Sequence, residues 1–115
     1  MTGTYRVEIE DEAENDLLEI YRRRLAQRGP DGPDGAEALL DSMMQLIDSL
    51  AHYPERGPVP VELLELRGSP WRQVSHPPYR IIYELGDGVV TIALVADARR
   101  DFSTLFQRRL LALKR

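Results

Sequence analysis

Four arginines in the second half of the chain lie within or directly after apolar runs of β type. Arg72 and Arg80 lie inside such runs, and Arg99 and Arg100 follow the last one. Side chains alternate between the two faces of a strand, so arginines in these runs are displayed on a sheet surface. A guanidinium is always charged and carries five N–H donors. This surface therefore suits an anionic target or a partner chain that wraps around it.

Cleavage of a phosphodiester without a metal ion requires cations and a group that exchanges protons. Arginine meets only the first requirement, because its pKa exceeds about 12. His76, Tyr79 and Tyr83 are the nearest candidates for the second. The two tyrosines alternate with Ile81 on one apolar strand face, which predicts core packing, and His76 is interpreted as a loop residue without a catalytic role. Asp97 precedes Arg99 and Arg100 closely enough to orient one of their two guanidinium groups through a bidentate pair.

Charge is divided unevenly along the chain. Residues 1–65 hold 6 Lys and Arg against 15 Asp and Glu, whereas residues 66–115 hold 9 against 4. The basic half contains the predicted sheet, so it can attract an anionic ligand although the whole chain has a net charge of −4. An ordinary solvated acidic helix face would produce the same division.

Length and composition favour a single cytoplasmic domain over residues 1–115. A chain of 115 residues with 43% hydrophobic content can bury one core but not two. The absence of cysteine excludes disulfides and thiolate metal sites and is compatible with a reducing compartment. His52 has no second histidine at ligand spacing, and no apolar run approaches the roughly 20 residues of a membrane helix. We therefore expect no cofactor, no metal and no membrane contact.

The elements that must position the arginines follow from hydrophobic periodicity. Residues 5–9 alternate as a half-buried strand, and Asp11 is predicted to cap a helix that continues to about Arg28. A loop of Gly, Pro and Asp separates this helix from a second one over residues 36–50.

The second half predicts strands and one closing helix. Residues 61–67, 71–75, 79–85 and 89–96 have β character, and a Gly86-Asp87-Gly88 turn joins the last two as a hairpin. The last strand is apolar on both faces, which indicates a central position. Asp101 is predicted to cap a helix over residues 102–113. The predicted fold is α+β, with two N-terminal helices on a mostly antiparallel sheet of four or five strands, in the order β-α-α-β-β-β(-β)-α.

Five segments together resemble the RelE/ParE superfamily of toxins from type II toxin–antitoxin systems. They are Tyr5-Arg6-Val7, Asp16-Leu17-Leu18-Glu19-Ile20, Tyr53-Pro54-Glu55-Arg56-Gly57, Tyr79-Arg80-Ile81-Ile82-Tyr83 and Ala98-Arg99-Arg100-Asp101-Phe102. The resemblance spans almost the whole chain and rests on the order and spacing of the segments. It implies a RelE-like fold and a cognate antitoxin that wraps the toxin, with operator DNA bound only through that antitoxin.

Two activities occur in this superfamily, and the residues favour one of them. RelE-type members cleave messenger RNA in the ribosomal A site, and ParE-type members inhibit DNA gyrase without known catalytic residues. Arg72, Arg80 and Arg99 match cationic positions of the RelE pattern. Its second lysine falls near Val74 and its tyrosine near Leu105 or Phe106, so the proton-exchanging positions are lost.

We therefore expect a ParE-like gyrase inhibitor that contacts its target or antitoxin through Arg72, Arg80, Arg99 and Arg100. One alternative is a ribosome-dependent messenger ribonuclease that uses Arg72, Arg80 and Arg99. Another is a nontoxic member that only binds an antitoxin and acts as a co-repressor. The sequence leaves open whether Pro77-Pro78 is cis or trans.

Overall fold

The first strand and the first two helices form as their periodicity predicts. In the computed structural model, which describes residues 4–64 and 70–111, they are β1 (Arg6–Ile9), α1 (Asp11–Arg28) and α2 (Ala36–Ser49). Helix α1 ends at Gly29, whose φ of 75° lies in the left-handed region that glycine adopts at little cost. Its N–H donates to the Leu25 carbonyl. The chain then turns through the Gly-Pro-Asp loop and returns as α2.

The start of α1 differs from the prediction. Asp11 is the first helical residue rather than the cap, and the Glu10 side chain at the cap position makes no capping hydrogen bond. The carboxylates of Asp11, Glu12 and Glu14 all lie in the first turn. They stabilise the helix there through its dipole rather than through a capping box.

The second half forms three antiparallel strands and a closing helical segment. The strands are β2 (Trp71–His76), β3 (Tyr79–Gly86) and β4 (Val89–Asp97). Helix α3 (Phe102–Phe106) begins at Asp101, whose carboxylate accepts a hydrogen bond from the Thr104 N–H as predicted. It continues as a π-helical turn, Gln107–Leu111, and the remainder of the predicted helix lies outside the described residues.

Residues 61–67 were predicted as a strand, and this prediction was wrong for residues 61–64, which the structure describes. Val61–Leu63 is a 3-10 turn that follows Pro60. Only Leu63 is buried, and Val61 and Leu64 are 70% and 63% exposed. The period-two spacing of apolar residues therefore did not reflect a buried strand face. Residues 65–67 lie outside the described part of the chain.

The described strands form one sheet in the order β1-β4-β3-β2. Strand β1 is parallel to β4 and the other pairs are antiparallel, which agrees with the predicted mostly antiparallel sheet and central last strand. The Pro77-Pro78 peptide bond is cis and forms the turn between β2 and β3.

Both faces of this sheet are covered. The side chains of α1 and α2 form the larger core with one face, and α3, its π-helical continuation and Leu63 pack on the other face. The predicted α+β architecture with two N-terminal helices is confirmed. The C-terminal helix adds a third layer.

A bulge in β4 ties the layers together. Strand β1 ends opposite Ile92, and Ala93 is an extra residue relative to β3, since Ile82 pairs with Leu94 and Tyr83 with Ile92. The edge of β4 beyond β1 therefore needs other partners. The Arg109 Nη2 donates to the Ala93 carbonyl at 2.9 Å, and the Val95 N–H donates to the Asp16 carboxylate at 3.0 Å.

Asp16 and Arg109 also bind each other. The two guanidinium nitrogens of Arg109 donate to the two carboxylate oxygens of Asp16 at 3.2 and 3.0 Å. Their side chains are only 19% and 15% exposed. A partly buried, bidentate pair of this kind is costly to break from one side, because the other charge is left without a partner.

Asp16→Ala should lower the free energy of unfolding by about 2–4 kcal/mol, since Arg109 loses its partly buried bidentate partner and the Val95 N–H loses its acceptor. Urea denaturation at neutral pH measures this change. The matched control is Glu12→Gln, because Glu12 also contacts Arg109 but is 61% exposed. It should cost less than about 1 kcal/mol. Equal effects of the two substitutions would contradict the role given to Asp16.

Candidate binding surfaces

Arg80 is held within the protein rather than presented to solvent. It donates to both carboxylate oxygens of Glu62 at 2.9 and 2.8 Å and to the Gln73 side-chain oxygen through Nε at 2.9 Å. Its guanidinium carbon lies 3.9 Å from the centre of the Phe102 ring. The side chain is 12% exposed. Hydrogen bonding to Arg80 lowers the pKa of Glu62 below its ordinary value, so the pair is fully charged at neutral pH.

Arg72 lies on the opposite face of the sheet from Arg80. Gln73 shares its face with Arg80, and Arg72, the residue before it, points to the side of α1 and α2. There its guanidinium donates to the carbonyls of Glu55 and Gly57 at 3.2 and 2.8 Å. Arg72 therefore fastens the loop before the 3-10 turn onto the sheet, and it does not converge with Arg80 on a single phosphate.

Arg99 and Arg100 are the accessible members of the predicted set. Arg99 is 83% exposed and forms the predicted bidentate pair with Asp97, with Nε donating at 2.9 Å. The pair, together with the Arg99 N–H, lowers the pKa of Asp97 to about 2. Arg100 is also exposed, and its side chain has no hydrogen bond or ion pair to the described residues. The Asp101 carboxylate accepts from the Thr104 N–H at the start of α3, and its negative charge disfavours a second anion at that helix end.

The predicted proton-exchanging positions contain apolar side chains in the core. Val74, Leu105 and Phe106 are 8%, 4% and 1% exposed. Tyr79 and Tyr83 are buried as predicted. The Tyr83 hydroxyl donates to the Pro54 carbonyl at 2.7 Å and accepts from the Gly57 N–H at 3.2 Å, and burial raises its pKa. Its hydroxyl therefore has a structural role in holding the same loop as Arg72.

His76 lies at the end of β2, next to the cis Pro77-Pro78 turn. Its Nδ1 atom is buried and has no partner among the described residues. Across residues 4–64 and 70–111, no three His, Asp or Glu side chains are arranged to hold a metal ion. No helix in this part combines the length and apolar character that crossing a membrane requires.

Two surface depressions lie on opposite sides of α1. The first is an apolar cleft between α1, α2 and β1, with a volume of about 370 Å³. Leu17, Leu18, Tyr21, Leu40 and Met44 line it together with Ile9, and Glu14 is its single charged residue. Leu18 is 43% exposed and lies beside the other apolar side chains of the cleft, so the exposed apolar surface is contiguous there.

The second depression is a polar groove between α1 and β4, with a volume of about 250 Å³. From α1 it is lined by Asn15, Asp16, Glu19, Ile20 and Arg23, and from the end of β4 by residues 95–97 and Arg100. Of the predicted contact residues, only Arg100 lines either depression. The four predicted arginines thus do not form one site.

Sequence reasoning missed Glu62 and Gln73 for different reasons, and it interpreted Arg23 as part of a mainly structural cluster at the end of α1. Glu62 lay in a segment interpreted as a strand, and Gln73 is uncharged. Arg23 belongs to a run of helix-terminal arginines that the dipole alone explains. A usable signal existed for Gln73, because same-face neighbours on paired strands follow from the β2–β3 hairpin register.

Known proteins similar to this chain fall into one group. The family model described as the ParE toxin of type II toxin–antitoxin systems matches residues 7–102. A solved structure titled as the chromosomal ParDE toxin–antitoxin system from P. aeruginosa has a TM-score of 0.65 at 15% identity, covering 84% of this chain and 98% of that one. No curated protein sequence gave a significant match.

Two further structures are similar in fold. The RelBE2 toxin–antitoxin complex of Mycobacterium tuberculosis has a TM-score of 0.56 at 20% identity, with 82% of this chain and 98% of that chain covered. A mutant of E. coli toxin RelE in the free state has a TM-score of 0.56 at 17% identity, with 96% and 98% covered. The predicted RelE-like fold is confirmed.

Glu62→Gln should lower the free energy of unfolding by about 1–3 kcal/mol at pH 7, because Arg80 loses a charged partner in a largely buried place. The pKa of Glu62 is lower in the folded protein, so its contribution is present above the ordinary value of 4.5 and is lost as pH falls through the lowered value. The difference from the unmodified protein, measured by urea denaturation, should therefore shrink as the pH falls below 4.5.

Glu19→Gln is the control for this measurement, since Glu19 is exposed on α1. It should change the unfolding free energy by less than about 0.5 kcal/mol. A difference between Glu62→Gln and the unmodified protein that stays constant on acidification would contradict the assigned ion pair.

Proposed function

Because the chain belongs to the ParE toxin family of type II toxin–antitoxin systems, we propose that it inhibits DNA gyrase through protein contacts and is neutralised by a cognate antitoxin. The observation that favours gyrase over messenger RNA as the target is that Arg80 is bound within the protein. A ribonuclease would need this cation for the scissile phosphate, and here its N–H groups are already used by Glu62 and Gln73.

The placement of the other predicted residues supports the same proposal. Arg72 and Arg80 lie on opposite sheet faces, so they cannot clamp one phosphate together. Val74, Leu105 and Phe106 carry no proton that could be exchanged. Inhibition by surface contacts requires neither convergence nor proton transfer, and Arg99 and Arg100 remain accessible for it.

Purified protein added to gyrase should inhibit ATP-dependent supercoiling, and the same preparation added to translating ribosomes should leave messenger RNA intact. Codon-phased cleavage with normal supercoiling would favour the ribonuclease instead. Normal growth on strong expression, together with tight antitoxin binding, would favour the co-repressor, which reaches operator DNA only through the antitoxin.

The apolar cleft is the surface we assign to an amphipathic helix of the antitoxin. Its lining is almost entirely apolar, and Leu18 and Tyr21 offer contacts at helical spacing along its wall. Glu14 at the edge would pair with a basic residue on the polar side of that helix. Covering the cleft would remove from water the apolar surface that the free toxin exposes.

Leu18→Gln should weaken binding of the antitoxin encoded by the adjacent reading frame by about 10-fold to 100-fold, because burial of a leucine contributes about 1.5–3 kcal/mol. Leu25→Gln is the matched control, since Leu25 is 38% exposed on the same helix but does not line the cleft. Calorimetric titration gives both affinities. If the two variants lost the same amount of affinity for the antitoxin, the cleft would not be part of the interface.

A further inference from the structure

The loop between α2 and the 3-10 turn is fixed along its length. Each residue from 53 to 58, here called the anchored loop, has a backbone group in a hydrogen bond. The Pro58 carbonyl accepts from the Gln73 N–H of β2 at 2.9 Å. Nearer to α2, the Arg56 N–H donates to the Tyr53 carbonyl at 3.2 Å, which closes a four-residue turn.

Two side chains of the sheet hold this loop in place. The fully buried Tyr83 bonds the Pro54 carbonyl and the Gly57 N–H through its hydroxyl, and Arg72 binds two further carbonyls. Gly57 lies so close to β2 that a Cβ atom there would be 2.0 Å from the Gln73 carbonyl oxygen. Loops are usually more mobile than the elements they connect. The anchored loop instead has its conformation set by the sheet beneath it.

The side chains of the same loop point outward. Tyr53 is 67% exposed and is the one exposed aromatic residue among residues 4–64 and 70–111. Its hydroxyl has no hydrogen bond to the residues that the structure describes. Glu55 and Arg56 are also exposed, and Arg56 donates to the Ser49 hydroxyl through Nη1 at 3.0 Å. The loop therefore presents these side chains on a backbone that is already ordered.

This combination fits a protein partner. Tyrosine and arginine are enriched among the residues that dominate protein interfaces, and an ordered backbone lowers the entropy cost of binding. Glu55 and Arg56 carry opposite charges side by side, so the loop offers no net attraction to a phosphate backbone. The loop lines neither of the two depressions beside α1. We therefore expect its side chains to enter a crevice on the partner.

We propose that the anchored loop is a contact surface for gyrase, with the Tyr53 ring inserted into an apolar crevice of the target and Arg56 paired with a carboxylate at the rim of that crevice. This inference rests on the proposed inhibition of gyrase and deepens it by naming contact residues. The apolar cleft assigned to the antitoxin contains no residue of this loop, so the two contacts use different parts of the chain.

The test compares purified full-length variants in ATP-dependent supercoiling of relaxed plasmid by gyrase. Tyr53→Ala should raise the toxin concentration that halves supercoiling by at least about tenfold, since it removes the central contact. Arg56→Ala should raise it by about twofold to fivefold, because an ion pair at an interface rim contributes less. Calorimetric titration with the antitoxin should give affinities within about twofold of the unmodified protein for both variants.

Val61→Ser and Arg22→Ala are the matched controls. Val61 is 70% exposed in the 3-10 turn, which packs on the other sheet face through Leu63, and Arg22 is exposed on α1. Both controls should inhibit supercoiling as the unmodified protein does. Urea denaturation checks that each variant is folded.

Equal inhibition by Tyr53→Ala and the unmodified protein would overturn this inference and leave the proposed function standing. A loss in Tyr53→Ala that Val61→Ser matches would also overturn it. Weakened antitoxin binding with unchanged inhibition would assign the loop to the antitoxin instead. If the unmodified protein left supercoiling intact, the proposed function would fail and this inference would fail with it.

Discussion

The pairing of Asp16 with Arg109 is the interaction on which the three layers depend. Strand β1 has 4 residues and β4 has 9, so more than half of β4 would have an unpaired edge on that side. The bulge at Ala93 turns one carbonyl outward, and Arg109 binds it while Asp16 binds the Val95 N–H. The two side chains thus replace ladder bonds that a longer β1 would make. They also join α1, β4 and the C-terminal helix in one contact.

The same shortness of β1 creates the polar groove. Asp16 uses one backbone group of β4, and the edge beyond Val95 stays open between α1 and the final turn. Because of helical periodicity, the side chains of α1 face three different surroundings. Leu17 and Ile20 face the core, Leu18 and Tyr21 face the apolar cleft, and Arg23 faces the groove. Helix α1 therefore contributes to the core and to both surface depressions, through different faces of the same helix.

Much of the fold could be predicted from the sequence because it follows from local periodicity. The alternation around Arg80 placed the tyrosines in the core, and the two-sided apolar run placed β4 in the centre. The site depended on contacts that no local pattern encodes. Glu62 meets Arg80 from a proline-bounded 3-10 turn, and Arg109 lies within an apolar helical stripe whose charged partner is 93 residues away. Spacing rules describe faces of elements, whereas these pairs depend on where separate elements meet.

The internal partners of Arg80 bear on how an arginine pattern is to be interpreted. A phosphate could use this guanidinium only by displacing a bidentate carboxylate, a side-chain amide and the contact with the Phe102 ring. Displacing Glu62 would also move the 3-10 turn whose Leu63 packs in the core beneath α3. Among residues 4–64 and 70–111, the exposed Arg99 forms an ion pair with Asp97 alone, and solvent screening weakens that pair. The same residue type therefore stabilises the fold at one position and remains available to a partner at another, and the difference lies in burial and in the number of hydrogen bonds already made.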